Sequence, residues 1–312
     1  MKIVFMGTPD FAVGALQAII DAGHEVTAVV TQPDRPKGRG KEMQYTPVKE
    51  CALAHHITVF QPVKIKTEAA VATLQTYEAD IFVVAAFGQI LSTQILEMPR
   101  LGCVNIHASL LPKYRGAAPI QWAIIDGETK SGITIMQMDA GLDTGDILYQ
   151  KEVPITKTET GETLHDKLMV AGAEAIVEVL PLLEQGSLIP CQQSEETSCY
   201  AKMLHKEMGH ISWSLPAVKI ERLVRGLNAW PSAYTHYHQK TLKIWEAEAL
   251  DLKTNGPIGT IAEVTKDYFT VNTGLNQLKI LDVQLEGKKR MKVHDFLLGN
   301  VIEPLDELER IG

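Results

Sequence analysis

Short β-rich runs alternate with helix signals along the first half of this chain, and that alternation limits the fold more than any other feature. Lys2–Met6, Val26–Thr31, Ile57–Phe60, Ile81–Ala86, Cys103–His107 and Ile133–Met138 read as strands. Between them, Thr8 with Pro9, Thr46 with Pro47, and Thr67 offer helix N-caps and first-turn prolines. Gly23 closes the first of these helices, the third runs to about Tyr77, and residues 161–184 supply a last one. Ile81–Ala86 is apolar throughout, as a strand covered on both faces must be. The pattern predicts a Rossmann-like α/β domain with a mostly parallel sheet wrapped on both sides.

The periodicity then changes. Gly186 to about Glu207 is polar and reads as a connection. A helix near Pro216–Leu227 is followed by Ala233–His238, Leu242–Ala249, Gly259–Val264, Tyr268–Asn272 and Gln277–Gln284, short β-rich runs separated by Gly and Asn turns. Such spacing predicts a small, OB-like β-barrel. The expected organisation is an α/β domain over 1–188, a linker over 189–207 and a C-terminal barrel over 208–312. A length of 312 residues accommodates two domains, each with its own core.

Composition narrows the class. Cys51, Cys103, Cys191 and Cys199 form no C-x-x-C pair and no zinc spacing with histidine, so they read as free thiols of a reducing compartment. Met1–Met6 is too short for an export signal and is stopped by Gly7-Thr8-Pro9-Asp10; no run approaches a membrane span. A cytoplasmic monomer without membrane contact is expected. Net charge is −8, which disfavours a polyanion partner, but the charge is uneven. Residues 208–292 carry 12 basic and 8 acidic residues, a net of +4, which permits contact with nucleic acid.

Three motifs carry chemistry. Gly7-Thr8-Pro9-Asp10-Phe11 occupies the first βα turn but lacks the later glycines of a dinucleotide fingerprint, which disfavours an NAD enzyme. Asn105 and His107 lie two apart at a strand end, hence on one face, at the sheet edge where open α/β folds bind ligands. An amide donor and an imidazole aimed at one point make an oxyanion site for acyl transfer; a turn asparagine and a core histidine are the plain alternative. Ser109-Leu110-Leu111-Pro112 and then Lys113-Tyr114-Arg115-Gly116 follow at once, an odd loop for a mere connector. Asp139-Ala140-Gly141-Leu142-Asp143-Thr144-Gly145-Asp146 lacks the ligand spacing of a calcium loop. It reads either as a solvated turn or as the source of a carboxylate that pairs with His107.

Taken together, Asn105-x-His107, Ser109-Leu110-Leu111-Pro112 and Asp143 resemble the signature of the 10-formyltetrahydrofolate-dependent formyltransferases. The resemblance spans nearly the whole chain, with Ala108 where many relatives have glycine. It implies Asn105, His107 and Asp143 as catalytic residues and 10-formyltetrahydrofolate as formyl donor, with no metal. It places the folate against Ser109, Leu110, Leu111, Pro112, Phe87, Gly88, Ile90, Leu91, Met138, Asp139 and Gly141. From the residues alone, Phe87, Ile90 and Leu91 fit a plain core equally well.

The acceptor is marked elsewhere. Thr31–Lys41, with Arg35, Lys37, Arg39 and Lys41, is similar to the insertion of those family members that formylate initiator methionyl-tRNA. Residues 34–49 hold five basic and two acidic residues; by themselves they also fit a solvated surface loop. Asn228–Tyr234 shares the same likeness. Phe11 is implied as a contact of the methionine side chain, and Lys288, Lys289 and Arg290 offer a second basic cluster for the tRNA. Rival acceptors are a nucleotide sugar or glycinamide ribonucleotide. A non-catalytic RNA-binding protein is a rival of another kind, and it has no use for the Asn-His-Asp set.

Overall fold

The computed structural model describes residues 1–37 and 42–308. The chain forms two compact units. One comprises Met1–Pro119, Lys130–Pro154 and His165–Ala201; the other comprises Ile120–Thr129, Ile155–Leu164 and the described residues from Lys202 onward.

The strands of the first unit are β1 (Lys2–Gly7), β2 (Glu25–Val30), β3 (Arg35–Lys37), β4 (Glu42–Gln44), β5 (Val59–Phe60), β6 (Ile81–Ala85), β7 (Cys103–His107), β8 (Arg115–Gly116), β9 (Lys130–Gln137), β10 (Ile147–Pro154) and β11 (Tyr200–Ala201). Its helices are α1 (Asp10–Asp21), α2 (Pro47–Ala54), α3 (Glu68–Gln75) and α4 (Thr93–Leu96). Helices α5 (Pro119–Asp126) and α6 (Gly161–Glu184) each carry residues of both units. Seven strands form a mixed sheet in the order β10-β9-β7-β6-β1-β2-β5. The pairs β1–β2, β2–β5, β1–β6 and β6–β7 are parallel, whereas β9 runs antiparallel to both β7 and β10.

The two central strands explain their own position. All five residues of β6 are buried, as are Ile3–Met6 of β1, so both strands need cover on both faces. From β1 the chain winds outward first to β2 and β5, then back to β6 and β7. That reversal opens a crevice beyond the carboxyl ends of β1 and β6, the usual ligand site of such sheets.

Some local expectations change. Thr46 and Thr67 cap α2 and α3 by accepting from Lys49 N and Ala70 N. Thr8 does not cap α1; Pro9 is its N-cap, without a side-chain bond. The Thr8 hydroxyl instead donates to the Phe87 carbonyl (3.1 Å), where the loop after β6 needs a donor. The edge strand β10 was not anticipated, because charged Lys151 and Glu152 interrupt its apolar residues; of its residues only Leu148 and Val153 are buried. The basic insertion carries the short antiparallel pair β3–β4.

The second unit contains α7 (Ala217–Gly226), α8 (Val293–Leu297) and the strands β12 (Ala233–Tyr237), β13 (Lys240–Leu250), β14 (Ile261–Val264), β15 (Phe269–Asn272), β16 (Gln277–Leu285) and β17 (Met291–Lys292). They form an antiparallel sheet, β12-β13-β16-β15-β14, with β17 on β16. Leu242, Ile244, Phe269, Val271, Leu278, Ile280 and Phe296 fill its core together with Ile220 and Val224 of α7. All five expected strands form. Among the described residues, however, the hydrogen-bonded path is open rather than closed into a barrel. The edge of β14 is taken by the tail, where Ile261 N donates to the Asp306 carbonyl and Leu305 N to the Ile261 carbonyl. No helix of the described residues is long and apolar enough to cross a membrane.

Candidate active site

Strand period places Asn105 and His107 on the same face of β7, at its carboxyl end. The loop after β9 brings Asp143 to them. Asn105 Nδ2 lies 3.5 Å from Asp143 Oδ1, and His107 Nδ1 lies 3.7 Å from Asp143 Oδ2. A short bond to this carboxylate comes from the backbone N–H of Gly116, at 2.8 Å. Nε2 of His107 sits 2.9 Å from the Tyr114 carbonyl oxygen, which can only accept, so Nε2 carries a proton. A second ring proton, when present, is on Nδ1 and faces Asp143. The His107 side chain is 7% exposed and that of Asp143 11%, so their interaction is little screened by water. The long contacts made by Asn105 Nδ2 and His107 Nδ1 leave both nitrogens free to turn to an incoming atom.

The glycines of the Asp143 loop follow from its tightness. A Cβ on Gly145 would stand 1.7 Å from the Gln137 carbonyl oxygen, and one on Gly141 would stand 2.0 Å from Thr144 Oγ1. Asp139 closes the turn by accepting from Gly141 N (3.0 Å) and Thr144 Oγ1 (2.7 Å). Asp143 has φ 55°, in the left-handed region that costs a side-chain-bearing residue roughly 1–2 kcal/mol. Among the described residues no cluster of His, Cys, Asp and Glu could hold a metal ion.

The segment after β7 is pinned from behind. Buried Thr134 donates to the Ser109 carbonyl (2.6 Å) and accepts from Leu111 N (3.0 Å). Gln150 Nε2 donates to the Leu111 carbonyl (2.9 Å), and Ser109 Oγ donates to the Lys113 carbonyl (2.7 Å). Leu110 lies against the backbone of Gly132, and the Leu111–Pro112 peptide is cis. Ser109 and Leu111 are buried, while Leu110 and Pro112 are half-exposed.

The Phe87–Leu91 loop stands at the crevice beyond β6. Phe87 and Leu91 turn their side chains into the core with Val4, Met6 and Val84, and Met138 packs against the same cluster. Gly88 and Ile90 are exposed, as are Asp139 and Gly141. Phe11 is buried in the first turn of α1, its ring edge-on to His165 at 5.7 Å.

The basic insertion is anchored at its base. Asp34 accepts from Lys49 Nζ and from Gln61 Nε2 (2.8 Å), and Gln61 also donates to the Gln32 carbonyl (2.9 Å). Burial alone would raise the Asp34 carboxyl; the hydrogen bonds from Lys49 and Gln61 outweigh it and hold the carboxyl below its ordinary value. Gln32 Nε2 in turn reaches the Phe87 carbonyl (3.1 Å), linking the insertion to the crevice wall. Arg35 is exposed on β3, and Lys37 ends that strand. Arg39 and Lys41 lie outside the described residues.

Two groups of residues escaped the sequence reading. One is Gln193 and Glu195, which with Arg115 form a polar chain behind Asp143; Gln193 and Arg115 are buried and Glu195 is exposed. Nothing in a run of polar residues singles out Gln193. The other is Lys243 and Trp245, which share a face of the second unit with residues already singled out, Tyr234 and Arg290. Trp245 lies between Lys243 Nζ (5.5 Å from the ring centroid) and the Arg290 guanidinium (4.9 Å). Tyr234 pairs in register with Lys243, and its ring neighbours those of His210 and His236 at 5.4 and 5.8 Å. Lys288 and Lys289 are exposed beside Arg290 on the turn from β16 to β17. Here the signal existed: Leu242 and Ile244 face the core, so Lys243 and Trp245 must face outward.

Comparison with known proteins adds to this geometry. The family model described as "Formyl transferase" matches residues 1–180, and "Formyl transferase, C-terminal domain" matches residues 203–301. The methionyl-tRNA formyltransferase of Agathobacter rectalis is 55% identical over 303 residues, 97% of this chain and 98% of that protein. That of Lachnospira eligens is 53% identical over 308 residues, with the same two coverages, 97% and 98%. Among solved structures, WlaRD, a sugar 3N-formyl transferase in the presence of dTDP and 5-N-formyl-THF, superposes with a TM-score of 0.66 at 21% identity. The match covers 93% of this chain and 99% of that one. At that identity the likeness speaks for the fold.

Proposed function

Because this chain belongs to the formyl transferase family, we propose that it moves the formyl group of 10-formyltetrahydrofolate to the free amino group of methionine on initiator tRNA. The observation that carries the chemistry is the convergence of Asn105 and His107 on the Asp143 carboxylate at the end of β7. The full-length likeness to methionyl-tRNA formyltransferases supports the acceptor.

The amine nitrogen attacks the formyl carbon, forming a C–N bond. The carbonyl oxygen becomes an oxyanion, received by Asn105 Nδ2–H and by the His107 ring. A lone pair of the oxyanion then reforms C=O as the bond from the formyl carbon to N10 of the folate breaks, its electron pair leaving with N10. Asp143 holds the positive charge of His107, takes the amine proton, directly or through one water, and passes it on to the departing N10. Such oxyanion donors are worth about 2.7–4 kcal/mol each. No step needs a metal.

The crevice beyond β1 and β6 suits the pterin: exposed Ile90 and the free backbone of Gly88 on one side, Ser109–Pro112 and Met138–Gly141 on the other. Phe87 and Leu91 contribute from behind, as wall. Phe11 receives the methionine side chain. The Trp245 face, with Tyr234, Lys243, Arg290, Lys288 and Lys289, combines stacking surfaces with cations, the chemistry that holds RNA. Arg35, Lys37, Arg39 and Lys41 serve the same partner from the insertion. The second unit is read as an OB-like module, a reading supported by the bulges of β13 against β16, which bend a sheet. Translation initiation places the reaction in the cytoplasm.

An acceptor competition tests the reading. Methionyl-tRNA, an amino-sugar nucleotide and glycinamide ribonucleotide are offered together with limiting 10-formyltetrahydrofolate. Formyl label is expected on methionyl-tRNA. Label on either small acceptor instead would overturn the assignment.

A further inference from the structure

Residues 189–197 are exposed with one exception. Gln193 is 8% exposed. A buried amide without partners is costly, and this one engages both N–H donors and its oxygen. Its Nε2 donates to the carbonyl of Asp143 (2.9 Å) and to that of Gly145 (2.7 Å). Its Oε1 accepts from Arg115 Nε (3.0 Å). Arg115 is itself buried and donates through Nη1 to both oxygens of Glu195, at 2.9 and 3.0 Å.

The surrounding backbone forms a clasp. Ile147 and Cys191 exchange two hydrogen bonds (2.8 and 2.9 Å), and β11 pairs with β8 through Arg115 N to the Cys199 carbonyl (2.9 Å). Tyr114 N donates to Cys199 Sγ (3.2 Å). The strap 191–201 thus grips the Asp143 loop at one end and the Tyr114–Gly116 loop at the other. The Tyr114–Gly116 loop supplies both the carbonyl that fixes His107 and the N–H that fixes Asp143.

We infer that Gln193 is a positioning residue for Asp143, acting through the peptide groups that flank it. Asp143 sits in the left-handed region, which the chain leaves unless neighbouring groups hold it there. Gln193 fixes the carbonyls of residues 143 and 145, on both sides of the Thr144 peptide. Without those two donors the loop relaxes toward right-handed φ and swings the carboxylate away from Asn105 and His107. Arg115 and Glu195 keep the amide turned so that its NH2, rather than its oxygen, meets the carbonyls. This inference rests on the proposed catalytic role of Asp143.

The test uses Gln193→Glu, which keeps shape and the Arg115 partner but removes both donors, and Gln193→Leu as a second variant. Each is assayed for formyl transfer alone and in an Asp143→Asn background, with kcat normalised to folded protein by folate-binding titration. A misplacement on the 1 Å scale costs about 10²-fold in rate, so kcat is expected to fall by about that factor with KM for folate and tRNA nearly unchanged. In the Asp143→Asn background the same substitutions should cost less than about twofold, because coupled residues are not additive. Wild-type kcat in both single variants overturns the inference. So does a loss that persists in full without the Asp143 carboxylate, or a rise in KM that accounts for it. If Asp143→Asn itself leaves turnover intact, the catalytic reading fails instead, which separates the two claims.

Discussion

Asp143→Asn isolates the charge of one residue from its place in the fold. Asparagine tolerates φ near 55° better than most residues, so the left-handed turn is kept. Its amide oxygen can still accept from Gly116 N, now 2.8 Å from Oδ2. Its NH2 then faces Asn105 Nδ2, donor against donor, where Oδ1 accepts at 3.5 Å. What is lost is the negative charge 3.7 Å from His107 Nδ1. With an effective dielectric near 20, a carboxylate and an imidazolium at that distance attract by about 4 kcal/mol. If the transition state relies on a charged His107, turnover falls about 10³-fold, since roughly 1.4 kcal/mol is tenfold in rate. Folate binding depends on the crevice rather than on this charge, so its dissociation constant should stay within about threefold of wild type. Single-turnover formylation with saturating folate reads the rate, and equilibrium titration reads the affinity. A variant with near-normal turnover, or one that loses folate affinity in proportion to rate, refutes the reasoning.

Further outcomes follow from the same geometry. Asn105→Ala removes an oxyanion donor and should lower kcat about 10²–10³-fold with little change in KM; normal turnover rules out that role. Arg290→Ala should weaken tRNA binding and reduce the salt slope of affinity by about one, whereas Trp245→Ala should weaken binding with the slope unchanged. Identical slopes and affinities would remove this face from the interface. Asp80 accepts from the Lys2 backbone N–H (2.8 Å) and from Arg100 Nε (2.7 Å), and these bonds hold its carboxyl below the ordinary value. Its stabilisation is therefore full above the unfolded value near 4 and is lost as pH falls through the lowered one. Asp80→Asn should unfold at a lower temperature than wild type at pH 7, with the gap closing in acid; a gap independent of pH counts against this.

How much of this was legible beforehand depends on what kind of interaction made each feature. The central strands announce themselves, since apolar runs such as Ile81–Ala85 can only be buried. Asn105 and His107 were readable because strand period alone puts them on one face. Asp143 was readable as a carboxylate in a glycine-rich turn, but its partner in Gly116 N–H was not, because a backbone donor leaves no trace in residue identity. Gln193 is hidden for a related reason. Its burial comes from a strap folding back over 48 to 50 residues of chain, and local polarity gives no hint of that. Closure of the second sheet was over-read: five strands at barrel spacing do not reveal that the tail occupies the edge of β14. Thr8 was misread because a helix-capping threonine and one that serves a distant carbonyl look alike in sequence.

The most direct test of the account is the rate at which labelled formyl passes from 10-formyltetrahydrofolate to methionyl-tRNA, measured for wild type, for each of Asn105→Ala, His107→Ala and Asp143→Asn, and for the three combined. Groups acting as one unit are strongly non-additive, so the combined variant should be no slower than about the slowest single one, with wild type faster by several orders of magnitude. A wild-type protein that leaves the tRNA unlabelled, or a combined variant that transfers formyl at the wild-type rate, would contradict it.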